Sequence, residues 1–349
     1  FWLKLTSEAP GPEPPPTMYA KTAACVAAAG AAGAGALHLR AQLDVAGKRL
    51  AAARAASAAV QLQGRRAIVV GGTSGIGHGI ALRLAQAGAS VTVVGRSEAR
   101  GAAIVSELQA RAPGGGADEK FDFAALDAFS LPACARFAEE VASSKRPVDM
   151  LVMTQGMATF QGYTPTPTEK GGLDEKLTLH YFSRILLARK LAPLLSQSSD
   201  GRVLTVLSGG VHGPYAGYAT DFDLRGNYSL KKAADASGFY TDIGFEALSA
   251  EHPSVAVAHA APGIVATGWG TELPGAVRAL VRLLQGALGR SHEDCGEFMF
   301  RALYNDKLGG GGFHLLDEFG EATGQRTALH DVARESVWKD TQAILAKYM

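Results

Sequence analysis

The apolar positions of this chain fall into two kinds of run. "AIVVGG" (67–72) is continuous, as in a strand buried on both faces, and "IALRLAQAG" (80–88) repeats apolar residues at helical spacing. "SVTVV" (90–94), "RVLTVLSGG" (202–210) and the opening of "SVAVAHAAPGIVATGWG" (254–270) read as further strands. Between the last two, "NYSLKKAADASGFYTD" (227–242) begins a long helix that continues through "AADASGFYTDIGFEALSAEHP" (233–253). After Thr267, "GWGTELPGAVRALVRLLQGALG" replaces strand periodicity with an amphipathic helical pattern. Strands followed by helices predict an α/β fold around a parallel sheet.

The turn between the first strand and its helix is "GGTSGIGHG" (71–79). Gly71 permits a tight turn, Gly75 lets backbone approach a phosphate, and Gly77 lets helix and strand pack closely. Thr73, Ser74 and Ile76 complete the loop, whose amides and helix dipole face the anion. This order of strand, glycine turn and helix points to a dinucleotide pyrophosphate.

Two tyrosines compete for a chemical role. A phenol has an ordinary pKa of about 10, and a nearby cation lowers it. Tyr228 has Lys232 four residues on, which in a helix shares its face, whereas Tyr240 has Gly244 at that offset.

Composition adds bounds. The 349 residues suit one large domain with additions, and 47% hydrophobic with 19% charged residues describes a folded globular protein. A net charge of +1 gives no field that argues for nucleic acid. Cys25, Cys134 and Cys295 are widely spaced and suggest neither a disulfide framework nor a metal site.

The spacing Gly71-x-x-x-Gly75-x-Gly77 resembles that of the short-chain dehydrogenase/reductase family, with Val70 in place of the usual threonine. The likeness runs from about residue 64 to 345 and includes features of retinol-dehydrogenase-like and fungal-type members, among them the tail "GGGGFHLLDEFGEATG" (309–324). It implies a doubly wound parallel sheet, the Rossmann fold. NAD-preferring members carry an acid at the end of the second strand; here Gly95 stands there, followed by Arg96 and Ser97. A guanidinium pairs with a 2′-phosphate that a carboxylate would repel, so the cofactor expected is NADP(H), with NAD second. "FDFAALDAFSL" (121–131) resembles the third strand, with Asp127 at the adenine position and Asp122 as competitor. "VDMLVMTQGMA" (148–158) resembles the fourth strand and its Asn-Asn-Ala-Gly turn, of which only Gly156 survives. Pro262, Gly263, Val265 and Thr267 match the Pro-Gly-x-Val-x-Thr turn over the nicotinamide.

The resemblance also implies a mechanism. Ser208 at the end of the fifth strand holds the substrate oxygen, Tyr228 exchanges its proton, and Lys232 lowers the tyrosine pKa and binds the ribose. Tyr228 follows Ser208 by 20 residues, more than is common, so 212–226 reads as an inserted loop. The distance from Tyr228 to Pro262 fits the family and that from Tyr240 does not, which leaves Tyr240 as a packing residue. His180 occupies the place of an asparagine that anchors a relay water; it either bonds that water or is a satisfied buried histidine. Residues from about 268 to 300 form a substrate lid whose leucines and valines suit an apolar substrate or a partner subunit, including a second copy of the chain. The reading is an NADP(H)-dependent oxidoreductase acting on a carbonyl or secondary alcohol; the alternative is an inactive Rossmann subunit of a larger, membrane-bound organellar complex.

Residues 1–63 stand apart from the domain expected at 64–349. "APGPEPPPT" (9–17) is proline-rich, and "TAACVAAAGAAGAGAL" (22–37) is dominated by alanine. Residues 18–66 carry seven lysines and arginines against Asp44 alone, a balance of +6. This composition resembles an organelle transit peptide, with a cytoplasmic setting second; for residues 1–60 as alanine-rich helices, docking on a protein is the favoured role and a membrane surface comes second.

Overall fold

Strand β1 (Arg66–Val70) is buried over its last four residues, as a continuous apolar run requires. It lies between β2 (Ser90–Gly95) and β4 (Met150–Met153) in a seven-stranded sheet of order β3-β2-β1-β4-β5-β6-β7. The others are β3 (Phe121–Ala125), β5 (Arg202–Val206), β6 (Ala256–Ala260) and β7 (Gly312–Leu316), and every pairing is parallel. This is the doubly wound fold expected, extended by β7 at the edge. The computed structural model describes residues 34–115, 120–167, 172–268, 270–271, 273–304, 311–324 and 326–349.

Parallel connections place helices on the two faces. They are α2 (Gly75–Gln86), α3 (Glu98–Arg111), α4 (Leu131–Ser143), α5 (Ser183–Leu195), α6 (Leu230–Glu251), α7 (Gly275–Leu288), α8 (His292–Leu303) and α9 (Ala328–Leu345). Helices α2 and α8 meet backbone to backbone: a Cβ on Gly79 would lie 2.0 Å from the His292 carbonyl oxygen. An aromatic group of Tyr181, Phe182, Phe239 and Tyr240 fills the core under α5 and α6. The two described cysteines, Cys134 and Cys295, are free and buried, and burial pushes both thiols up to about 12.

The chain divides into two compact units, Phe1–Ala55 and Ala56–Met349. Helix α1 spans Ala34–Ala58. The proline-rich segment and the alanine-rich run up to residue 33 lie outside the described residues. Among the described residues, no helix is long and apolar enough to cross a membrane.

Candidate active site

Where strand order reverses, between β1 and β4, the carboxyl ends of an open parallel sheet leave a crevice. The glycine loop enters it. Gly71 has φ +82° and Gly75 φ +56°, both in the left-handed region that favours glycine. A Cβ on Gly77 would sit 2.4 Å from Thr154 Oγ1 and 2.5 Å from the Gly71 carbonyl oxygen, so no larger residue fits without moving backbone. The loop then opens α2, with Ser74 as its N-cap and Gly75, Ile76 and Gly77 in the first turn, where amides lack helical acceptors. Thr154 takes up part of the role of the missing asparagines. Its hydroxyl lies 3.2 Å from the Val70 carbonyl and 3.3 Å from that of Gly71, tying the β4 turn to the loop. The neighbouring Gln155 turns away and donates to Ser183 Oγ at 3.3 Å.

At the end of β2, a Cβ on Gly95 would press on Thr73 Cγ2 at 2.8 Å, so this turn packs directly on the glycine loop. Arg96 is exposed, its guanidinium 5.6 Å from the Phe129 ring centroid. Ser97 caps α3, its hydroxyl accepting from Arg100 N–H. The two aspartates separate. Asp127 follows the carboxyl end of β3 and accepts from Phe129 N–H at 3.2 Å, whereas Asp122 faces Arg146 at 3.5 Å near the strand's start. Asp127 is the one at the ligand edge of the sheet. Beyond β6, Gly263 has φ +68°, and a Cβ on Gly75 would lie 3.2 Å from Thr267 Cγ2. The Pro262–Thr267 turn therefore closes over the phosphate loop, with Val265 buried and bridged to Arg290.

Ser208 lies two residues beyond β5. Its N–H donates to His259 Nε2 at 3.1 Å, and its buried hydroxyl has no partner among the described residues. The buried Tyr228 hydroxyl likewise has none. Here the structure corrects one expectation: Tyr228 and Lys232 do not share a helix face. Ser229 caps α6 by accepting from Lys232 N–H at 3.1 Å, so the helix begins at Leu230 and Tyr228 stands outside it. The expected lowering of the Tyr228 pKa is not seen either. Burial, then the carboxylates of Asp174 and Glu175, push the phenol above its ordinary range, which keeps it neutral and able to donate. Its ring faces Tyr163 edge-on, with Lys176 Nζ 5.4 Å from its centroid. Tyr240 is fully buried, donates to the Phe222 carbonyl at 3.1 Å and stacks on Phe222, as a packing residue should.

His180 sits in a single π-helical turn, Thr178–Phe182. Its Nε2 accepts from Met157 N–H at 3.1 Å, which leaves Nδ1 as the protonated nitrogen. Burial, followed by the charges of Arg184 and Lys176, pulls its pKa down to about 3. A ring held neutral is a poor proton carrier but a serviceable hydrogen-bond donor.

A family model described as short chain dehydrogenase matches residues 65–276. The chain belongs to the short-chain dehydrogenase/reductase family. An oxidoreductase of Emericella nidulans is 34% identical over 58% of this chain and 58% of its own length. Polyprenol dehydrogenase of Mus musculus is 28% identical over 79% of this chain and 82% of its own. Among solved structures, a mutant short-chain dehydrogenase/reductase of Serratia marcescens superposes with TM-score 0.54 at 21% identity, covering 75% of this chain and 99% of that one. A Shigella flexneri short chain dehydrogenase complexed with NADP gives TM-score 0.53 at 19% identity over 74% of this chain and 98% of its own. At those identities the structures speak for the fold. The family is one of oxidoreductases, which weighs against a purely structural subunit.

Two buried cations near the site were missed in the sequence. Arg184, only 1% exposed, donates to Thr205 Oγ1 at 2.7 Å and to the carbonyls of Val206 at 2.9 Å, Gln155 at 2.5 Å and Met153 at 3.3 Å. It clamps the carboxyl ends of β4 and β5 together, where the site is built. Its signal was an arginine whose helical neighbours Tyr181, Leu187 and Ala188 are all apolar or aromatic. Lys176, also buried, donates to the Gly162 carbonyl at 3.0 Å beside Asp174 at 3.4 Å.

Proposed function

We propose that this protein is an NADP(H)-dependent oxidoreductase that interconverts a carbonyl and a secondary alcohol. The observation that carries the reading is that both catalytic-motif hydroxyls, Ser208 Oγ and Tyr228 Oη, are among the buried hydroxyls that have no partner in the described residues. Buried polar groups are nearly always paired, so two unpaired hydroxyls on catalytic-motif positions are those a substrate oxygen would satisfy. The glycine cradle at Gly71, Gly75 and Gly77 fits a dinucleotide pyrophosphate, because side chains there would fill the space backbone must approach.

The nicotinamide, when bound, supplies or accepts the hydride. This chain does the rest. Ser208 Oγ holds the substrate oxygen, and neutral Tyr228 donates its proton to the oxygen during carbonyl reduction. Lys232 binds the nicotinamide ribose, and Arg96 takes the 2′-phosphate, with no carboxylate at Gly95 to repel it. His180 serves as a fixed donor rather than a carrier. An apolar substrate is supported by the exposed Leu280 and Leu283 on α7 and by the name of the polyprenol dehydrogenase relative. The basic amino-terminal segment we assign to docking on protein, with attachment to a membrane surface second. NADPH oxidation against a panel of ketones, aldehydes and prenyl aldehydes tests the activity. Consumption of NADPH with alcohol formation supports it, and inertness across the panel refutes it.

A further inference from the structure

Behind Ser208 lies a polar cluster that the hydride-transfer chemistry leaves unused. Asp242, on α6 and 1% exposed, is surrounded by three histidines from three other segments. His259 of β6 approaches its Oδ1 through Nδ1 at 2.5 Å. His212, from the loop after β5, reaches Oδ2 through Nε2 at 2.9 Å, and His330, in the first turn of α9, lies 3.3 Å from the same oxygen. A lone buried carboxylate is costly, so the N–H groups of His259 and His212, with the His330 ring close by, are the kind of compensation it needs.

Two backbone donors fix the tautomers. Ser208 N–H donates to His259 Nε2 at 3.1 Å, so the proton of that ring is on Nδ1, facing Asp242. Thr327 N–H donates to His330 Nδ1 at 3.1 Å, so the proton of that ring is on Nε2, again facing Asp242. The donor atoms of His212, Asp242 and His330 lie within 4.8 Å of one another, close enough to hold a metal ion. Ligation through His330 Nε2 would move its proton to Nδ1, against the Thr327 N–H. The hydrogen-bond arrangement satisfies both backbone donors, and the metal arrangement does not.

The cluster's effect falls on Ser208. With its N–H held by His259 and its carbonyl accepting from Val211 N–H at 3.0 Å, the backbone of Ser208 is pinned on both sides. On α6, Gly238 makes room: a Cβ there would lie 2.5 Å from Ser208 Oγ and 2.4 Å from His212 Cδ2. Three residues earlier on the same helix, Asp235 accepts from Gly213 N–H at 3.0 Å, fastening the loop just past His212.

We infer that His259 is a positioning residue that aims the Ser208 hydroxyl at the substrate oxygen, with Asp242 fixing the His259 tautomer and His212 and His330 packed around Asp242. This rests on the catalytic reading of Ser208 given above. The chain of bonds runs Asp242 to His259 to the Ser208 amide, and both residues are buried.

Two substitutions at one position separate positioning from bulk stability. His259→Gln places an acceptor near the old Nε2 and keeps the bond from Ser208 N–H. His259→Asn places a donor near the old Nδ1, so it keeps the Asp242 bond and loses Ser208. In the full chain His259→Asn lowers kcat for the best carbonyl of the panel by about ten- to a hundredfold, the cost of a misplaced catalytic group. KM and NADPH affinity stay within about twofold, and His259→Gln recovers most of kcat. Equal losses in both variants, or none in either, overturn the proposal. Imidazole ¹⁵N spectra of the unmodified chain give a reading that needs neither turnover nor a folded variant. His259 protonated on Nδ1 supports the proposal, whereas protonation on Nε2 or a stoichiometric metal in the purified protein overturns it. An inert wild-type chain with the assigned tautomer would refute the enzymatic function, and would reduce the cluster to a clamp between α6, β6 and α9.

Discussion

Replacing Arg96 with alanine removes the one guanidinium that directly follows β2 at the ligand edge. Arg96 is exposed, and its guanidinium lies 5.6 Å from the Phe129 ring centroid. The substitution therefore breaks no ion pair with a described carboxylate, and the fold should tolerate it to within about 0.5 kcal/mol. A hydrogen bond to a charged group contributes about 1.5–3 kcal/mol, and exposure favours the lower half of that range. At about 1.4 kcal/mol per decade, NADPH affinity should fall on the order of tenfold and by no more than about a hundredfold. NADH lacks the phosphate and should change by less than about twofold. Fluorescence titration of both cofactors against wild type and Arg96→Ala measures all four constants. Raising the salt should weaken NADPH more than NADH and narrow the gap, as expected of an exposed pair. Equal affinities for the two cofactors in the wild type, or an undiminished preference in the variant, would refute the assignment of Arg96.

Gly77→Ala forces a methyl against Thr154 Oγ1 and the Gly71 carbonyl, so it should cost about 1–3 kcal/mol in urea unfolding and weaken both cofactors alike. Arg184→Ala strips a donor from three carbonyls and Thr205 Oγ1, and should cost at least about 3 kcal/mol, read as a lower Tm. His180 has a folded pKa of about 3, below the ordinary histidine value of about 6.5, so the unfolded chain takes up its proton first as pH falls. Its contribution is thus complete above about pH 6.5 and is lost progressively toward pH 3; His180→Gln should flatten that slope in unfolding series run across the window.

Much of this architecture is legible because parallel strands buried on both faces leave continuous apolar runs. "AIVVGG", "SVTVV" and "RVLTV" all became inner strands. Edge strand β7 was not foreseen, since "GFHLL" is short, sits behind a glycine run and is only partly buried. The glycine loop was legible for a different reason, namely that φ values of +82° and +56° and a 2.4 Å approach leave no choice of residue. Helix α6 begins at Leu230, two residues after Tyr228. The offset of Tyr228 from Lys232 suited a helix, but the Ser229 side chain offered the helix end a cap and won. The Asp242 cluster could not be read at all. His212, Asp242, His259 and His330 come from separate elements, and only the folded sheet brings them to one carboxylate.

Tyr228→Phe provides the most direct test of the central claim. The substitution deletes one buried, unpaired hydroxyl and leaves the ring between Tyr163 and Lys176, so fold and cofactor binding should persist. The measurement is NADPH oxidation on the best carbonyl, with NADPH affinity titrated on the same preparations and Tyr240→Phe as the internal control. Turnover should fall by at least about a hundredfold in Tyr228→Phe, as expected for loss of a general acid, while NADPH binds within about twofold of wild type. Tyr240→Phe should lose only about 1 kcal/mol of stability and keep its activity. Undiminished turnover in Tyr228→Phe, or equal loss in both variants, would contradict the account.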